Sequence, residues 1–187
     1  MRANIDQSGE DLWVFAYGSL LWNPLFPFAE SRRACVRGLH RRFCLWSLAS
    51  RGRPDAPGLV LGLDRGGSCR GIAYRLAADG LAQSLDRVWA REMAGGVYEM
   101  RRLPLRLACG VVEGYAFAVR RRHPDYAGRL GLDETARLII AGEGSRGRCR
   151  DYLDSTVRHL EALGLADAAL RRLAERVRAL VEPPATG

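Results

Sequence analysis

At 187 residues, with 48% hydrophobic and 27% charged residues, the chain has the size and composition of one ordinary globular domain with its own core. No stretch approaches the roughly 20 consecutive apolar residues of a membrane span, and the polar opening MRANIDQSGED lacks the apolar core of a signal peptide. Net charge is +8, carried by arginine alone since no lysine is present, and the arginines are spread along the whole chain, many beside Asp or Glu, so nucleic-acid binding is the lesser reading.

Five cysteines, widely spaced and without a C-x-x-C pair, suggest neither a disulfide framework nor a zinc site, and the three histidines form no ligand cluster. A cytoplasmic protein follows, with a domain over residues 12–182 and polar tails at 1–11 and 183–187. Oligomeric state is not readable from the chain.

The first predicted element, LWVFAY (Leu12–Tyr17), is an unbroken apolar run of the kind found in strands buried on both faces. It runs into Tyr17-Gly18-Ser19-Leu20 and then Leu21-Trp22-Asn23-Pro24. A plain hairpin wants a polar two-residue turn and an alternating return strand. This turn is small, hydroxyl-bearing and flanked by large apolar residues, which suits a loop that holds a ligand. Further strands follow in RRFCLWS (Arg41–Ser47), GLVLGL (Gly58–Leu63) and GIAYRL (Gly71–Leu76), each bounded by Gly, Pro or Asp.

A helix is predicted over Leu81–Met93, introduced by Asp79, with Leu81, Leu85, Val88 and Trp89 on one stripe. Glu92 falls on the same stripe, in the last turn before Gly95 and Gly96. Burial and a helix C-terminus both raise a carboxyl pKa, which suits a general base near neutral pH. The competing reading is an ion pair with an arginine, or a frayed end that lets the carboxylate reach water. Next, VVEGYAFAV (Val111–Val119) sets Tyr115, Phe117 and Val119 on one face and small residues on the other, as in a curved sheet or barrel wall. VRRRHP (Val119–Pro124) reads as a solvated turn. Two helices close the chain. One lies in DYLDSTVRHLEALG, with Leu153, Val157, Leu160 and Leu163 at helical spacing and Gly164 as its stop. The other lies in DAALRRLAERVRALV, capped by Asp167 and striped by Leu170, Leu173, Val177, Leu180 and Val181. Strands first and helices last imply an α+β domain, with a mixed or antiparallel barrel-like sheet and flanking helices.

Together these segments resemble the ChaC-like gamma-glutamylcyclotransferases. Phe15-Ala16-Tyr17-Gly18-Ser19-Leu20-Leu21-Trp22 is similar to that family's F-G-Y-G-S-L signature followed by I/L-W, with Ala16 where glycine is usual. Arg41–Phe43 with RGRPDAPG, then WAREMAGGVY (Trp89–Tyr98), HPDYAG (His123–Gly128) and IIAGEGSRGRCRDYL (Ile139–Leu153), follow in the family's order; the last departs from it at Arg148 and Arg150.

The resemblance implies an enzyme without a cofactor. A gamma-glutamyl compound, glutathione in this branch, would close on itself to release 5-oxoproline and an amine, here Cys-Gly. It puts the catalytic acid/base at Glu92 and the glutamyl head group at Val14, Phe15, Ala16, Tyr17, Gly18, Ser19 and Leu20. Backbone N–H groups of that turn can converge on a developing oxyanion. Tyr98 and Tyr126 are substrate contacts or structural hydrogen bonders, Tyr17 and Trp22 are site or core residues, and Arg42 is a candidate partner for a carboxylate. Two alternatives stay open: a cyclotransferase for other gamma-glutamyl amines or dipeptides, and a non-catalytic relative that binds a ligand or nucleic acid.

Overall fold

The computed structural model describes residues 12–24, 26–77, 86, 90 and 95–182. The apolar run becomes β1 (Trp13–Ala16), buried at all four positions. Alternation sends its side chains to two different cores. Trp13 and Phe15 pack with Val36, Leu39, Leu63 and Leu105 inside a barrel. Val14 and Ala16 face outward, into a layer shared with Leu59, Leu61 and Ile72 and with the helical Leu153, Leu160 and Leu173.

The barrel closes through β2 (Phe28–Ser47), β3 (Gly58–Leu76), β4 (Tyr98–Leu107) and β5 (Gly110–Val119) in the order β1-β3-β2-β4-β5. Antiparallel ladders join β1 to β3, β3 to β2, β2 to β4 and β4 to β5. The seam is parallel: Trp13 pairs with Gly114 and Val14 with Tyr115 of β5. The small face expected along β5 is the inward one. Ala116 and Ala118 lie in the barrel core, and a Cβ at Gly114 would stand 2.5 Å from Leu105 Cδ1.

The strands run further than the sequence reading took them. RRFCLWS is only the end of β2, and GLVLGL and GIAYRL are the two ends of one strand, β3. Glycine and aspartate were read there as strand ends. In the fold, Gly38 at φ +77° and Gly66 and Gly67 at φ +109° and +63° form irregularities that bend the ladder without breaking it.

Among the described residues, three helices cover the outer core: α1 (Leu132–Ala141), α2 (Cys149–Ala162) and α3 (Ala168–Val181). The capping expectation for Asp167 is met, since its carboxylate accepts from the amides of Ala169 and Leu170. Gly164 follows the end of α2 at φ +65°. On α3 the stripe Leu170, Leu173 and Val177 is buried, while Val181 has left it at 39% exposure. A two-strand hairpin, β6 (Glu143–Gly144) and β7 (Gly147–Arg148), precedes α2. Of the helix expected over Leu81–Met93, only Asp86 and Ala90 are described, both helical and exposed. Glu92 lies outside the described residues. Among them, no helix is long and apolar enough to cross a membrane.

Candidate active site

β1 delivers the chain to the site. After Ala16, Gly18 caps a single 3-10 turn, Ser19–Leu21. Its carbonyl accepts from Leu21 N at 2.8 Å, and the Ser19 carbonyl from Asn23 N at 3.0 Å. The amides that open such a turn have no partner within the turn itself. Tyr17, Gly18, Ser19 and Leu20 line a narrow cleft of about 40 Å³ with Leu61, Tyr98, Phe117 and Tyr152. The cleft widens into a cavity of about 760 Å³, which shares Ser19, Leu61, Tyr98 and Tyr152 and adds Trp22, Ser50, Arg51 and Arg146 to its walls.

Each aromatic wall is fixed by a nameable contact. Tyr17 donates its hydroxyl to the Phe117 carbonyl at 2.9 Å, and Tyr98 donates to the Leu61 carbonyl at 2.8 Å. Trp22 stacks on His159 of α2 with ring centres 4.7 Å apart. Tyr152, at the start of α2, meets Phe43 edge-on at 5.7 Å and lies under the Arg51 guanidinium, 5.1 Å away. Tyr17 and Trp22 therefore pack and line the site at once.

The other candidates are distributed differently. Val14, Phe15 and Ala16 are buried strand residues that line neither cavity. They hold the turn in place from behind. Tyr126 also lies off the cavity walls. Its loop bridges β2 at Leu45, and its hydroxyl donates to Asp64 Oδ2 at 2.9 Å. Arg42 meets a carboxylate, but it is that of Asp64, at 3.7 Å.

Asp64 is fully buried and accepts from Arg121 Nε at 2.6 Å, Tyr126 Oη and its neighbour's amide, Arg65 N. Burial pushes its carboxyl up, but these donors outweigh that and hold it below the usual aspartate range. A carboxyl that titrates lower when folded stabilises the fold fully above about pH 4. That contribution is lost as pH falls through the folded value. Asp64→Asn is expected to cost about 1–3 kcal/mol at pH 7 in urea melts, and the gap to wild type should shrink when the melts are repeated below pH 4. An unchanged gap would mean that Asp64 is held for packing alone.

Two residues that the sequence reading did not assign stand out. Tyr152 lines both cavities; its signal was its place in IIAGEGSRGRCRDYL, a segment quoted for the family resemblance without a role for the tyrosine. Arg41, 4% exposed, bonds the Tyr17 carbonyl through Nε, the Arg70 carbonyl at 2.7 Å and Asp167 Oδ2 at 2.9 Å. It ties the ligand turn to β3 and to the cap of α3. In an arginine-rich sequence nothing separated Arg41 from Arg42.

Among the described residues, no cluster of His, Cys, Asp and Glu is placed to hold a metal ion. Cys149, the cysteine nearest the cavity wall in sequence, donates its thiol to the Leu59 carbonyl at 2.9 Å, and burial pushes it up to about 11, far from a nucleophilic thiolate. The site thus joins a turn of backbone donors and aromatic walls to a wider chamber that carries two arginines. That arrangement has the chemistry to take an anionic, peptide-like molecule.

A sequence model of the family described as ChaC-like protein matches residues 12–180, so the chain belongs to the ChaC-like family. Among curated relatives, the glutathione-specific gamma-glutamylcyclotransferase of Escherichia coli K12 is 39% identical, over 91% of this chain and 74% of that protein. Gamma-glutamylcyclotransferase 2-3 of Arabidopsis thaliana is 30% identical, over 89% of this chain and 88% of its own length. The crystal structure of a yeast gamma-glutamyl cyclotransferase specific to glutathione superposes with a TM-score of 0.81. It covers 92% of this chain and 100% of that one at 20% identity, and so supports the fold.

Proposed function

We propose that this protein is a gamma-glutamylcyclotransferase that converts glutathione to 5-oxoproline and Cys-Gly in the cytoplasm, with Glu92 as general acid/base. The observation that carries the reading is the cleft at the end of β1. In a chain whose relatives are named for this activity, the signature residues Tyr17–Leu20 form the wall of a cavity with an aromatic and cationic outer chamber.

The chemistry needs little else. The substrate's α-amine nitrogen attacks its own γ-carbonyl carbon, so nucleophile and electrophile arrive together, and holding them at near-attack distance supplies several kcal/mol of the barrier. Glu92 takes a proton from the α-ammonium so that the nitrogen has a lone pair to give. The new C–N bond closes the five-membered lactam, and negative charge collects on the γ-oxygen, where the amides of Gly18–Leu20 and the Ser19 hydroxyl receive it. When the C–N bond to the cysteinyl nitrogen breaks, Glu92 hands its proton to that nitrogen so that Cys-Gly leaves as a neutral amine, and the second hydrogen left on the ring nitrogen by the attack is lost as a proton to solvent, leaving the neutral lactam. The free state of all five cysteines among the described residues suits a reducing compartment.

The test is release of 5-oxoproline by purified protein from glutathione and from gamma-glutamyl-alanine. Turnover of glutathione well above that of the dipeptide is expected. Equal turnover would make the protein a general gamma-glutamyl enzyme, and no lactam from any gamma-glutamyl donor would leave a binding protein.

A further inference from the structure

The outer chamber has a charge pattern that lactam formation does not itself require. Its walls carry two cations, Arg51 and Arg146, and no Asp or Glu among the described lining residues. Their states differ. Arg51 is committed: its Nη1 donates to the carbonyls of Arg146 and, at 3.3 Å, Arg148, while its guanidinium covers Tyr152. Arg146 is exposed at the hairpin tip, and among the described residues no carboxylate pairs with it. The nearby carboxylate Glu143 is taken by Arg148 at 3.9 Å.

The backbone that carries Arg146 is held in place while its side chain is exposed. Ser145 N donates to the Ala49 carbonyl at 2.8 Å and Arg146 N to the Ser50 carbonyl at 2.9 Å, which ties the hairpin to the loop after β2. The contact is close enough that a Cβ on Gly144 would lie 2.5 Å from the Ala49 oxygen. Gly147 makes the turn at φ +90°, a conformation that suits glycine. A cation is therefore presented at a defined place on the chamber wall, outside the narrow cleft lined by the turn that would take the glutamyl head.

We propose that Arg146 is a specificity-determining residue that reads a carboxylate on the leaving half of the substrate, so that the preferred class is gamma-glutamyl peptides with a free C-terminal carboxylate rather than gamma-glutamyl amines. This rests on the cyclotransferase reading and refines it. With the γ-glutamyl group against Tyr17–Leu20, the leaving amine points into the wide chamber, and in a short peptide its one full negative charge is the terminal carboxylate. A guanidinium whose plane is not already spent on a protein carboxylate can pair with it through two N–H groups. Solvent access limits the strength of the pair, so it adds discrimination and little to the chemical step.

The experiment compares glutathione with its glycine amide, which keeps every atom of the reacting half and removes only the terminal charge. Wild type should lose about 10-fold in kcat/KM on amidation, mostly through KM. Arg146→Gln should lose about the same factor on glutathione and treat the two peptides alike, and Arg146→Lys should recover part of the discrimination. Wild type that turns over both peptides equally well would overturn the inference alone, as would an Arg146→Gln enzyme that keeps the full preference. Absence of 5-oxoproline from both peptides and from every other gamma-glutamyl donor would overturn the cyclotransferase reading, and this inference with it.

Discussion

Glu92→Gln is expected to lower kcat for 5-oxoproline release by about 10²–10⁴-fold, the range that a positioned acid/base supplies, with much smaller change in KM. The amide has the size and shape of the carboxyl but cannot accept the substrate's ammonium proton or return one to the departing nitrogen. The deficit should also depend on pH. As the solution becomes alkaline enough to deprotonate the α-ammonium unaided, the first proton transfer no longer needs the enzyme, so the ratio of wild-type to variant rates should narrow. It should not vanish, because the leaving nitrogen still lacks a donor. A glutamate that served only as a helix ion pair would behave otherwise: its substitution would lower the melting temperature and leave the pH–rate profile parallel to wild type. A Glu92→Gln protein that folds and turns over at the wild-type rate would remove the base from the mechanism.

What the sequence revealed about this fold depended on how local the cause was. β1 was legible because a strand covered on both faces needs an unbroken apolar run, and Trp13–Ala16 is one. The capping of α3 was legible because Asp167 bonds amides two and three residues ahead of it. The true length of β2 and β3 was not, since their ladder passes through Gly38, Gly66 and Gly67, residues that locally signal turns. α1 was also missed. Its apolar positions are interleaved with Asp133, Glu134 and Arg137, and it buries only Thr135, Ala136 and Ile139. The site divides the same way. The Tyr17–Leu20 turn is contiguous in sequence and was read as a ligand loop. Tyr126 held its hydroxyl for a partner 62 residues away, and Tyr152 and Arg146 reach the cavity only through long-range packing of α2 and its hairpin. No periodicity encodes such contacts.

Arg41 offers the second large effect, and it separates support of the fold from support of the site. Arg41→Met removes the donor to the Tyr17 and Arg70 carbonyls and leaves Asp167 without its cation, so about 2–4 kcal/mol of stability should be lost in denaturant melts. The more informative variant is Arg41→Lys, which keeps the charge but not the planar fork that reaches three acceptors at once. The Tyr17–Gly18 peptide is trans, so holding the Tyr17 carbonyl toward Arg41 turns the Gly18 N–H to the opposite side, and Gly18 borders the cleft. A lysine that lets this peptide tilt would misaim a donor of the turn, and misplacement of that order costs about 10–10²-fold in rate. Asp167→Ala is the comparison. It gives up the helix cap, worth about 1 kcal/mol, and Arg41's ion pair, yet leaves the bond from Arg41 to the Tyr17 carbonyl in place. Arg41→Lys should therefore lose far more kcat than Asp167→Ala when both are assayed well below their melting temperatures. Equal activity in the two would reduce Arg41 to a structural tie, because Tyr17–Leu20 would then hold its geometry without a guanidinium behind it.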